Sequence, residues 1–159
     1  MSDIHNMTIE QFCDHFGACR EDREWALTNC KTMAEVWDTA QYDWALWVAT
    51  RPGVLTDREL RLFACWCARN TPCGDGKTTW DMMPHEDSRR AVIAAEKYAN
   101  GEIGHNELSA AAMSAAESSW LAWSARSAAW AAAMSAEAAA WAAQLTQLRT
   151  IPNPFKGNT

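Results

Sequence analysis

Residues 106–148 read NELSAAAMSAAESSWLAWSARSAAWAAAMSAEAAAWAAQLTQL, and their reading decides the fold. No proline or glycine interrupts them, and alanine is the best helix former, so the stretch predicts helix throughout. Met113, Trp120, Met134, Trp141 and Leu148 recur at multiples of seven, with Ser127 the one gap, and Ala116, Trp123 and Trp130 follow three residues on. Such a heptad-like recurrence draws a seam along one face of a helix. With Leu145, these residues are expected to form one buried stripe, because large side chains in register serve no purpose on a solvated helix. At about 1.5 Å per residue, a straight helix of this length exceeds the width of a domain of this size. The stretch is therefore a hairpin broken near Ser118-Ser119 or Ser124–Ser127, or a continuous spine covered by other helices or by a second copy.

Working outward, Pro152 and Pro154 end the helix, and residues 151–159 read as a flexible tail. Upstream, Asp87 reads as the N-cap of a helix through Tyr98, closed by a left-handed cap at Asn100-Gly101. Residues 70–86 hold Pro72, Gly74, Gly76 and Pro84 and read as one long loop. Before it, helices are expected at about 8–16, 21–29, 33–40, 42–50 and 57–69. Thr8-Ile-Glu-Gln11, Thr32-Met-Ala-Glu35 and Thr56-Asp-Arg-Glu59 supply capping boxes, and Gly17 and Pro52-Gly53 punctuate the series. No segment alternates apolar and polar residues between turn signals as a strand does. The expected fold is all-α: a compact multi-helix bundle with a long Ala/Trp-rich C-terminal helix or helical hairpin, in a single domain over 1–150. The 159 residues allow a domain that buries roughly two-thirds of the surface of its unfolded chain.

Composition narrows the function classes. The net charge is −6, and residues 1–50 carry nine acids (Asp3, Glu10, Asp14, Glu21, Asp22, Glu24, Glu35, Asp38, Asp43) against Arg20, Arg23 and Lys31. Neutralising phosphates requires a basic surface, so direct nucleic-acid binding is disfavoured. An acidic face serves either solubility or a basic partner. The polar, acidic first ten residues do not read as a secretory leader. The Ala-rich run is too weakly apolar, and too interrupted by charge, to read as a membrane span. The expected setting is the cytosol, with the six cysteines reduced.

Three constellations have residue types that could carry chemistry. Gly74-Asp-Gly76-Lys77-Thr78 resembles a phosphate loop, but that motif needs a glycine five residues before Gly76, where Thr71 stands, and a strand ahead of it. Cys65, Cys67, Cys73 and His85 offer zinc-ligand chemistry. However, Cys65 and Cys67 lie two apart in an expected helix, so their side chains diverge, and buried free thiols explain them as well. Cys13 and His15 diverge for the same reason, and no cysteine or serine comes with a histidine and an orienting acid. The reading is of a protein that is not an enzyme, with no catalytic, cofactor-binding or metal-binding residues.

Several segments together resemble the Imm5-like group of bacterial immunity proteins, which also occur in phages. They are Phe16-Gly-Ala-Cys-Arg20, Glu24-Trp-Ala26, Asp43-Trp-Ala-Leu-Trp-Val48, Leu60-Arg-Leu-Phe-Ala-Cys-Trp-Cys67, Asp87-Ser-Arg-Arg-Ala-Val92, Tyr98-Ala-Asn-Gly-Glu102 and the Ala/Trp-rich end. The resemblance spans about residues 12–145. It departs at the Gly/Pro loop after the cysteine-rich helix and at the tryptophans of the Ala-rich helix, and it supplies no catalytic residues. It implies an antitoxin-like role, in which a small protein binds and silences a toxic effector. Together with the acidic N-terminal third, the reading is an immunity or anti-defence inhibitor whose partner is a toxin, nuclease or other defence effector with a basic surface, without direct nucleic acid, membrane or cofactor. The residues expected to face that partner are Asp14, Glu21, Asp22, Glu24, Trp25, Glu35, Asp38 and Asp43. Trp25, Trp37, Trp44 and Trp47 are aromatic anchors or core residues. The alternatives are a structural or assembly protein that pairs through the Ala/Trp helix, homodimer included, and a Cys/His zinc module.

Overall fold

The computed structural model describes residues 3–121 and 137–157, with side chains described to Ser114 and again from Ala139. The chain is all-helical: eight α-helices and one 3-10 turn, with no strand among the described residues. The helices fall into two units. Residues to Thr56 and those from Leu145 onward make the first, and Asp57–Gln144 make the second.

In the first unit a 3-10 turn at Ile4–Asn6 leads into α1 (Ile9–Phe16), α2 (Arg20–Asn29), α3 (Met33–Thr39) and α4 (Tyr42–Ala49). The Thr8–Gln11 capping box is complete: Thr8 Oγ1 accepts from Gln11 N at 3.2 Å, and Gln11 Oε1 accepts from Thr8 N at 3.0 Å. At α3 only half of the box forms. Thr32 Oγ1 caps Glu35 N, and Glu35 reaches one residue further back, to Lys31 N at 2.6 Å. Gly17 ends α1 in the left-handed conformation at φ +68°, which costs glycine nothing. Gly53 is likewise left-handed, at φ +86°, and a Cβ there would lie 2.9 Å from the end of the Ile4 side chain, which would have to shift. The amphipathic faces close over Phe12, Val36, Trp37, Trp44 and Val48, all buried. Phe12 stands edge-on to Trp47 and Phe155, and Trp44 stacks on Trp47 at 5.2 Å.

The expected flexible tail is a correction. Phe155 is buried in this core, and Asn153 and Lys156 bond to α3. Asn153, between the two prolines, accepts the Phe155 N–H at its Oδ1, 3.0 Å away.

The second unit holds α5 (Asp57–Asn70), α6 (Glu86–Ala99) and α7 (His105–Leu121), with α6 packed on both neighbours, and α8 (Glu137–Leu148) begins in it. The expected N-cap of α6 is displaced. His85 occupies the cap position, and Asp87 lies in the first turn, where its carboxylate suits the helix dipole and pairs with Arg90. The end of α6 is as read: Gly101 at φ +76° and bonds from Gly101 N to Tyr98 O and from Glu102 N to Lys97 O make a Schellman closure. The 70–86 loop folds on one bridge, Pro72 to Thr78.

Within the Ala/Trp stretch α7 and α8 are the described helices; residues 122–136, and with them the continuity of the stretch and the placement of Trp123, Trp130 and Met134, lie outside the described residues, as does the side chain of Trp120. Of the expected seam, Leu148 is buried and Leu145 half-buried, but Met113 is 67% exposed and Trp141 41% exposed. Among the described residues, Met113 and Trp141 therefore do not join Leu148 in a buried stripe. Heptad spacing sets which residues share a face, not whether that face is covered.

Candidate functional site

The acid-rich surface of the first unit is built by α1–α4. Glutamate and aspartate fall on the sides of these helices that the apolar stripe leaves outward, so Asp14, Glu21, Glu24, Glu35, Asp38 and Asp43 are exposed, and Asp22 and Trp25 half-exposed. These are the residues singled out from the sequence, and all of them lie within this unit.

Their electrostatics differ. Asp14 accepts from Arg23 Nη1, across the turn at Gly17, and this pairing holds the guanidinium even more firmly protonated than usual. Glu24 pairs loosely with Arg20 one helical turn away, at 3.4 Å. Asp22 takes the Cys19 thiol at 2.9 Å, while Cys19 Sγ caps Asp22 N. Asp38 takes Lys156 Nζ at 2.7 Å and Asn153 Nδ2 at 3.0 Å, and the Lys156 bond leads in holding its carboxyl below the ordinary range. Glu10, Glu21 and Asp43 form no ion pair among the described residues. The fold also brings Arg51, Arg149 and Lys156 into this unit, so its nine acids face six cations, a smaller excess than the first fifty residues suggest.

An open depression on this surface is lined by Asp3, Asn6, Met7, Gln11, Asp14 and His15. Asp3 was not singled out from the sequence. It caps the 3-10 turn, accepting from His5 N at 3.1 Å and Asn6 Nδ2 at 2.8 Å, and the Asx-turn pattern Asp3-Ile-His5 was the available signal. Two carboxylates with two amide side chains around a shallow dish suit a lysine or arginine side chain arriving from outside.

The four N-terminal tryptophans divide. Trp37 and Trp44 are core, 2% and 4% exposed. Trp25 and Trp47 are half-buried, and Trp47 carries the Arg51 guanidinium 4.8 Å above its ring.

The other constellations are placed as follows. Cys65 is buried and donates to Val92 O at 3.7 Å, and burial pushes the Cys67 thiol up to about 11. Cys73 donates to Thr71 O and Thr79 Oγ1, both at 3.7 Å. No three His, Cys, Asp or Glu side chains converge as a metal site would require, among the described residues. Gly74, Asp75 and Gly76 all have positive φ, and their turn is closed by Lys77 N to Gly74 O and Cys73 N to Lys77 O, so this backbone is folded on itself. A contact missed in the sequence is His105 Nε2 to Ser109 Oγ at 3.3 Å, one turn apart at the start of α7. No carboxylate orients that imidazole among the described residues, and His105 is exposed. No described helix is long and apolar enough to cross a membrane.

No protein-family model, curated protein or solved structure matches the chain.

Proposed function

We propose that this chain is a protein-binding inhibitor of the immunity or anti-defence kind, which acts by direct contact and not by catalysis. Its acidic α1–α4 surface receives a basic patch of a toxin, nuclease or other defence effector. The observation that carries the reading is the acidic dish of Asp3 and Asp14, set on a surface where Glu10, Glu21 and Asp43 are exposed and form no ion pair among the described residues. Exposed carboxylates each add little to affinity, but together they steer and orient a basic partner. The half-buried Trp25 supplies an apolar contact among them. The resemblance to Imm5-like immunity proteins supports the class.

The test is co-expression, in a bacterial host, with each protein encoded beside this chain's gene that is toxic to that host when expressed alone. Growth is expected to be restored by the wild type and lost again with the triple variant Glu21→Lys, Glu24→Lys, Asp43→Lys. Unrestored growth, or restoration by a triple variant as complete as the wild type's, would refute the reading.

A second reading, assembly of copies, is favoured by Met113, a large apolar side chain 67% exposed on an Ala-rich helix. Sedimentation over a hundredfold concentration range, expected to show one species for an inhibitor and a rising mass for an assembly protein, separates the two.

A further inference from the structure

Residues 149–156 sit on α1 and α3 as a bound peptide would. The Phe155 ring is edge-on to Phe12 at 5.7 Å, 6.4 Å from Trp37 and 6.2 Å from His5. Asn153 Nδ2 donates to Ala34 O at 2.9 Å and to Asp38 Oδ1 at 3.0 Å. Arg149 Nη2 donates to Ala40 O, the C-cap carbonyl of α3, at 2.7 Å. Lys156 Nζ lies 2.7 Å from Asp38 Oδ2. The recognition therefore has three parts: an aromatic ring in a slot, an amide on a helix backbone, and a cation on a carboxylate.

How the segment is held matters as much as what it touches. Its backbone–backbone hydrogen bonds are local: Arg149 N to Leu145 O, Thr150 N to Gln147 O, Ile151 N to Leu148 O and Lys156 N to Asn153 O. Among the described residues, no backbone ladder ties it to α1–α4. All the polar links to these helices run through its side chains. Release then removes one ring and a few side-chain bonds while leaving α1–α4 hydrogen-bonded, and such segments open well below global unfolding.

We propose that the surface of α1 and α3 beneath these residues is a docking site for a polypeptide segment carrying an aromatic residue followed by a lysine or arginine, with Asn153–Lys156 as its internal stand-in. The slot of Phe12, Trp37 and His5 takes the ring, and Asp38 takes the cation. The two carboxylate oxygens of Asp38 fit this role because one already meets an ammonium and the other an amide. This goes beyond the inhibitor reading. It concerns a different patch from the Asp3–Asp14 dish and stands whether or not a toxin binds there.

The probe is a fluorescently labelled synthetic peptide of residues 149–157, titrated into the full-length chain. The Phe155→Ala variant, with its slot vacated, is expected to bind one peptide at least about tenfold more tightly than the wild type, whose own segment competes. A peptide with Glu in place of Lys156 is expected to bind more weakly. A folded Phe155→Ala chain that ignores the peptide, or a wild type that binds it equally well, would overturn the proposal.

Should Phe155→Ala fail to fold, the double variant Asn153→Ala, Lys156→Glu keeps the aromatic core. Amide exchange of 149–157 is then expected to speed up about tenfold, with α1, α3 and α4 unchanged. An unchanged or uniform rate contradicts a releasable segment. A concentration-dependent dimer that the peptide dissociates would assign the slot to a second copy of the chain and also overturn the proposal as stated.

Discussion

Residues 3–56 and 145–157 bury Phe12, Cys13, Val36, Val48 and Leu148 almost completely, whereas in 57–144 the described side chains that reach burial are Phe63, Cys65, Ala94 and Ala99. The second unit is joined instead by arginines. Arg69 makes two bonds to Glu96, at 2.6 and 2.7 Å, while its guanidinium lies 4.2 Å from the centre of the Trp80 ring. Arg89 lies over the same ring at 5.7 Å and donates to Trp80 O, and Arg61 covers Tyr98 at 4.8 Å. Arg58 closes the end of α6 through Ala99 O. The sequence explains the contrast. α1, α3 and α4 carry large apolar residues at helical spacing, so they interlock. In α6 and α7 alanine fills more than half of the apolar positions, which lets backbones approach but leaves the wide gaps to long side chains lying flat on aromatic faces. One unit therefore depends on volume, the other on the guanidinium fork.

Four substitutions probe that contrast. The largest effect is expected for Phe12→Ala, about 3–5 kcal/mol in urea unfolding, because a fully enclosed ring leaves a cavity that rigid helices cannot collapse. A loss under 1 kcal/mol would break the claim that the first unit rests on packing. Arg69→Ala is expected to cost about 1–2 kcal/mol through the lost fork and stack, and Arg69→Lys nearly as much, since an ammonium restores the charge but not the geometry. Full rescue by lysine would reduce the site to simple charge attraction. Thr8→Ala removes one half of a complete capping box and is expected to cost about 1 kcal/mol, read by thermal melting.

The smallest effect concerns pH. Asp38 titrates lower in the fold than in the unfolded chain, above all through Lys156, so its contribution is complete above the ordinary carboxylate value of about 3.9 and fades as pH falls through the lowered one. Asp81, held down by the Thr78 N–H and hydroxyl, changes in the same direction. The informative quantity is therefore the difference between wild type and Asp38→Asn, which is expected to shrink on acidification from pH 5 to pH 3. A difference that grows in acid would reverse the assignment.

Much of this fold was legible because its signals are local. A capping box, a glycine in the left-handed region or a Schellman closure is decided within six residues, so Thr8, Gly17 and Gly101 mark helix ends without reference to the rest of the chain. Asp87 misled because an aspartate in the first turn resembles one at the cap, and both positions suit its charge. What was not legible depends on partners far along the chain. Phe155 follows two prolines in a polar stretch, and nothing near it announces Phe12 or Trp37. Likewise, Asp38 reads as a free surface acid until Lys156 is found beside it. Met113 shows the complementary limit, a residue in good register on a face that the described chain does not cover. For the candidate site, exposure of the acids followed from helical spacing, while their division into paired and unpaired groups, and the inclusion of Asp3, required the fold.

The most direct measurement is the affinity of the purified chain for the toxic protein whose growth arrest it relieves on co-expression, by calorimetry at low and at physiological salt. The wild type is expected to form a one-to-one complex that weakens as salt rises. The Glu21→Lys, Glu24→Lys, Asp43→Lys variant is expected to lose about a hundredfold in affinity while melting at the wild-type temperature. A complex of unchanged affinity in that variant, insensitive to salt, would contradict the acidic α1–α4 surface as the place where the partner binds.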